Sequence, residues 1–143
     1  MHNNCTYSAC FDGIWNITFI SLLGGKPMRI ISQDGRIDVP YDYFSLSIAT
    51  GKYEDVEVAC IYCHNLSSPK GTKLAEYSSK EKAEKAMEML HKQYSRLQVV
   101  KILASGTCEH MEKSLSKDEF LECNLKYREM NIFQFPKDED VEV

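Results

Sequence analysis

Between Thr72 and Leu97 the chain changes its period. Lys73-Leu74-Ala75-Glu76-Tyr77 alternates at two, with Lys73, Ala75 and Tyr77 on one face and Leu74 and Glu76 on the other. The adjacent apolar pair Leu74-Ala75 breaks that alternation slightly. Apolar residues then return at helical spacing: Ala83, Ala86, Met87, Leu90, Tyr94 and Leu97 form one stripe. Lys80, Lys82, Glu84, Lys85, Glu88 and Lys92 take the remaining positions, and no Gly or Pro interrupts the run. Ser78 followed three residues later by Glu81 has the form of a capping box, so a helix is predicted to start there. A helix with one apolar stripe needs a surface to cover, and strands before it supply one.

Upstream, Met28 to Ser32 reads as a strand, Asp34-Gly35 as a hairpin turn, and Ile37 to Val39 as the returning strand. Pro40 marks an edge or a break, since it has no N–H to give a ladder. Tyr43 to Ile48 alternates, Thr50-Gly51-Lys52 reads as a turn, and Val56 to Tyr62 as a further strand with Val56, Val58, Cys60 and Tyr62 inward. Asn65 to Gly71 is a loop by composition. After Leu97, Gln98 to Leu103 reads either as more helix or as a strand, and Ala104 to Thr107 as a break. Ser116 with Glu119 forms a second capping box, predicting a second helix through Phe120, Leu121, Cys123, Leu125 and Tyr127. Ile132 to Phe135 is a short strand closed by Pro136. The expected class is α+β: an antiparallel β-meander, an amphipathic helix, a second helix and a short C-terminal strand.

The domain plan is one α+β unit over 28–136 with an acidic, solvated tail at 137–143. Residues 1–27 read as a non-native extension or a flexible arm. Gly24-Gly25-Lys26-Pro27 before Met28 has the form of a translated ribosome-binding site and spacer, which makes Met28 the expected natural start. Ile14 to Leu23 is mostly apolar, but Asp12 precedes it and a positive region does not, so an export signal is not expected. The expected location is the cytoplasm. An edge left open in the sheet, and a short apolar last strand able to pair with it, point to a homodimer; a monomer whose last strand pairs internally stands equally beside it.

Composition changes little in this picture. The 143 residues carry a formal net charge of −4, so a broad basic face for nucleic acid is not indicated. The tail accounts for most of that, with Lys137 against Asp138, Glu139, Asp140 and Glu142. No stretch is long and apolar enough to span a membrane.

MRIISQDG (Met28 to Gly35), DVPYD (Asp38 to Asp42), AEYSSKEKAEKAMEML (Ala75 to Leu90) and FQFPKDEDVEV (Phe133 to Val143), taken together, resemble a group of small uncharacterised proteins of phages, prophages and mobile elements of Firmicutes. The resemblance begins at Met28 and leaves out the stretch between Leu97 and Asn131. It implies a bacterial or phage accessory protein and carries no catalytic residue with it.

Chemistry is suggested mainly by Cys60-Ile61-Tyr62-Cys63-His64, which has the spacing of c-type haem attachment. A strand context without an export signal argues against haem. Zinc is the better rival, with Cys60, Cys63 and His64 joined by Cys108 or His110, although a second C-x-x-C knuckle is missing. Unliganded, reduced cysteines of a cytosolic protein are the bland alternative. Cys63 and His64 are neighbours on a strand and point to opposite faces, which rules out a simple nucleophile–base pair. No phosphate loop, G-x-S-x-G elbow or H-E-x-x-H occurs. Tyr41, Tyr43 and Phe44 suit a core better than a base-stacking platform. The expected function is that of a small non-enzymatic accessory protein of a phage or mobile element that binds a host or phage protein. The alternatives are a zinc-stabilised binding module and a protein sequestering a small ligand, the latter marked by a pocket lined with Tyr or Arg.

Overall fold

The structure, a computed structural model, describes residues 26–143 and, for 105–113 within a helix, the backbone alone. The proposed extension at 1–27 therefore lies almost wholly outside the described residues. Six strands and two helices follow in order: β1 (Arg29–Ile31), β2 (Asp38–Pro40), β3 (Ser45–Tyr53), β4 (Val56–Asn65), β5 (Ser68–Tyr77), α1 (Lys80–Ser114), α2 (Lys117–Met130) and β6 (Ile132–Gln134). This is the expected α+β arrangement, with the strands divided between two sheets where one meander was expected. β3-β4-β5 is an antiparallel meander, and β2-β1-β6 is a mixed sheet in which β6 runs parallel to β1. Pro40 ends an edge strand, where its missing N–H breaks no ladder.

The inner face of β4 is the reverse of the one expected. Ala59, Ile61 and Cys63 of β4 are buried, while Val56 is exposed. Ile61 sits between Ile48 of β3 and Ala75 of β5. Leu74 and Ala75 are both buried because the β4–β5 register shifts between Ile61 and Tyr62, leaving Leu74 as the extra residue of a bulge. Gln33 satisfies the groups the bulge frees: its N–H donates to the Leu74 carbonyl at 2.8 Å, and its Oε1 accepts from the Glu76 N–H at 3.2 Å. Its Nε2 donates to the Pro136 carbonyl at 2.9 Å. One side chain thus joins both sheets to the C-terminal segment.

α1 packs across β3, β4 and β5 with the expected stripe. Ala83, Ala86, Leu90 and Leu97 are fully buried, with Met87 and Tyr94 partly so. Its cap is Ser79, whose hydroxyl accepts from the Lys82 N–H at 3.2 Å, and not Ser78. Ser78 is engaged by Asp138, which accepts from its N–H at 2.8 Å and its hydroxyl at 3.0 Å. The acidic tail is accordingly docked and not free in solvent. Lys82 pairs with the same carboxylate at 3.1 Å, Val141 is buried, and the fully buried Tyr77 donates its hydroxyl to the Pro136 carbonyl at 3.0 Å. α1 also runs through Ala104 to Thr107, where a break was expected; one glycine costs about 1 kcal/mol in a helix and does not end so long a run. The second capping box is present as read, Ser116 with Glu119.

Two turn assignments shift. Thr50-Gly51-Lys52 lies inside β3, and the chain reverses at Glu54-Asp55, both at positive φ. Most of Asn65 to Gly71 is strand, turning at Leu66-Ser67, with the Asn65 side chain accepting from the Ser68 N–H at 2.7 Å.

Candidate functional site

Strand alternation decides the C-x-x-C-H stretch. Cys63 points inward and is buried, while Cys60, Tyr62 and His64 share the outer face of β4. The ligand set of Cys60, Cys63 and His64 is thus not brought to one point, and residues three apart on a strand cannot make a zinc knuckle. Cys108 has no described side chain. Among the described residues no group of three or more His, Cys, Asp or Glu side chains gathers as a metal site. Burial pushes both thiols up from their ordinary value; at Cys60 the neighbouring Glu76 carboxylate adds to this. Both are thiols and not thiolates at neutral pH, so neither is an activated nucleophile.

His64 has both ring nitrogens engaged. Nδ1 lies 3.2 Å from the Pro69 carbonyl, and Nε2 lies 2.6 Å from Ser47 Oγ. A carbonyl only accepts, so Nδ1 donates to Pro69, and the second bond joins Nε2 to the Ser47 hydroxyl. The pairing of β4 with β5 makes room for this ring. Asn65 pairs with Ser68 and Cys63 with Thr72, so three residues of β5 lie opposite His64. Gly71 is among them, at φ +78°, and a Cβ there would stand 2.5 Å from His64 Cε1.

A concavity of about 660 Å³ lies elsewhere, between α1, α2 and β6. Helical spacing builds it. Met89, Lys92, Gln93 and Arg96 sit on one face of α1, and Lys126, Glu129 and Met130 on one face of α2. Phe133 of β6 forms part of its floor. Gln93 Nε2 donates to the carbonyls of Met130, at 3.0 Å, and Ile132, at 2.7 Å, which pins the end of α2 to α1. Three cations face one carboxylate here, in a chain of net charge −4. Lys126 pairs with Glu122 at 2.8 Å. Among the described residues Lys92 and Arg96 have no carboxylate within the 4.0 Å of an ion pair. The groove offers an apolar floor and two cations without a close ion-pair partner among the described residues, Lys92 acting at longer range on the Glu88 carboxylate, which suits a chain segment or ligand carrying negative charge. The sequence pattern placed Lys92 only off the apolar stripe. The recurrence of Met89, Lys92, Gln93 and Arg96 was the available signal, and it needs α2 alongside to mean anything.

Tyr41 and Phe44 are partly buried against the core, as expected, and Tyr43 is exposed. They border a smaller recess of about 470 Å³ beside α1.

Compared with protein families, with curated proteins and with solved structures, the chain has no match. No helix among the described residues is long and apolar enough to cross a membrane.

Proposed function

We propose that this is a small non-enzymatic binding protein, an accessory product of a phage or mobile element, that docks an acidic segment of a host or phage protein in the α1–α2 groove. The observation that carries the reading is the pair of cations, Lys92 and Arg96, with no close ion-pair partner among the described residues, beside the apolar lining of Met89, Met130 and Phe133. Apolar contact supplies affinity, and the cations select an acidic partner and speed encounter. The accessory-gene context rests on the sequence resemblance, and a cytoplasmic place of action follows from that context.

The test is capture from host lysate with the full chain and with Lys92→Glu/Arg96→Glu. A protein retained by the first and lost by the second, and released by moderate salt, supports groove docking. Equal capture by both refutes it.

A second reading is favoured by Arg96. A pocket lined by arginine is the expected mark of a protein sequestering a small ligand, here an anion in the same groove. Thermal-shift measurements with a nucleotide panel distinguish it: stabilisation without turnover, lost in the charge-reversed variant, favours the small ligand over the protein segment. Homodimer formation is a separate proposal. β6 pairs with β1 in its own chain, and among the described residues no strand pairs with its other edge, where Gln93 takes the Ile132 carbonyl; light scattering on the chain from Met28 decides between a dimer through that edge and a monomer.

A further inference from the structure

The recess beside α1 differs in character from the groove. It is bounded by Tyr41, Asp42 and Phe44 before β3 and by Met87, His91 and Tyr94 on α1. The rings of Tyr41 and Tyr94 meet edge to face, their centroids 4.8 Å apart. Tyr94 donates its hydroxyl to Asp42 Oδ1 at 3.1 Å, which fixes that ring and holds the carboxylate at the rim. Asp42 is the one Asp, Glu, Lys or Arg among the lining residues, and among the described residues it has no Lys, Arg or His partner within 4.0 Å. Burial pushes both phenols up, with Asp42 adding to it, so the rings stay neutral and keep their electron-rich faces.

We propose that this recess binds a small organic cation, a quaternary or methylated ammonium group. Aromatic faces attract a cation through the ring quadrupole, and an uncompensated carboxylate beside them adds a direct charge contact. A methylated ammonium is only weakly hydrated and gives up little on leaving water for an aromatic and thioether wall. A metal ion is the wrong occupant, because calcium or magnesium requires six or more oxygen ligands and the recess offers one carboxylate, and no group of three or more His, Cys, Asp or Glu gathers among the described residues.

The test uses the full chain, choline as the cation, and dimethylbutanol as its neutral carbon isostere. Binding is followed by NMR shifts of the Tyr41 and Tyr94 ring resonances. Choline shifts both rings, and the isostere binds at least about tenfold more weakly. Asp42→Asn weakens choline by about tenfold and leaves the isostere unchanged. Tyr94→Phe, which keeps the ring and removes the hydrogen bond, retains choline binding at reduced affinity. Equal response to choline and isostere, an Asp42→Asn protein that binds choline as the parent does, or unmoved Tyr rings overturns the proposal. Lys92→Glu/Arg96→Glu still binds choline, so failure of the groove reading and failure of this one are separable.

Discussion

Gly71→Ala tests the local architecture around His64 with a magnitude that the structure supplies. The residue sits at φ +78°, where an L-residue other than glycine is strained by roughly 1–2 kcal/mol. Alanine recovers about 0.4–1 kcal/mol of that by restricting the unfolded chain. The new Cβ would also stand 2.5 Å from His64 Cε1 and 2.6 Å from Nδ1, closer than such atoms approach. The imidazole is the end of a rotatable side chain, so it swings away and gives up its bonds to Ser47 and Pro69. Each is worth about 0.5–1.5 kcal/mol, nearer the lower figure because both are exposed. The single variant should therefore lose about 2–3 kcal/mol. In a His64→Ala background the ring clash and the bonds are already gone and only the 3.1 Å approach to the Cys63 carbonyl remains, so Gly71→Ala should cost about 1 kcal/mol from strain and entropy plus whatever that tight contact adds. Urea unfolding of the four proteins of this cycle gives a coupling of about 1–2 kcal/mol. An equal cost of Gly71→Ala in both backgrounds refutes the reasoning, because the ring would then not be what position 71 accommodates.

Leu90 is fully buried in the α1 stripe, and Leu90→Ala should destabilise by about 2–5 kcal/mol in the same assay, whereas the exposed Val99→Ala should stay within about 0.5 kcal/mol. The Asp138 carboxyl is held below its ordinary 3.8, first by the Ser78 N–H and then by Lys82 and the Ser78 hydroxyl. A depressed acid stabilises the fold above its unfolded value and loses that contribution as pH falls through the folded one. Stability should therefore decline below about pH 4 as the tail releases, and Asp138→Asn should be less stable at neutral pH with a shallower acid decline in thermal melts.

The elements legible in the sequence were those whose signals are local. The α1 stripe needs only the spacing of Ala83, Ala86, Leu90 and Leu97, and the second capping box needs only Ser116 and Glu119. Even the flaw at Leu74-Ala75 was visible, and it is the bulge that turns both side chains inward. The misreadings have distant causes. Ser78 and Ser79 are chemically the same cap, and what separates them is Asp138, which occupies Ser78 from sixty residues away. The tail looked solvated by charge alone, yet its first carboxylate serves that serine and Lys82.

The candidate sites follow the same division. The C-x-x-C-H stretch drew attention by spacing, but a strand period of two sends Cys63 into the core and leaves Cys60 and His64 outside, so the motif comes apart on folding. The groove is the reverse case. Lys92 and Arg96 are unremarkable on an isolated helix, and they face the same space as Lys126 where Gln93 holds the carbonyls of Met130 and Ile132 against α1. A Gln93→Ala chain would leave every cation in place and remove the bonds that align the two helices. Loss of partner capture in that variant, with the fold retained, would therefore show that the groove acts as one built surface and not as a sum of surface charges.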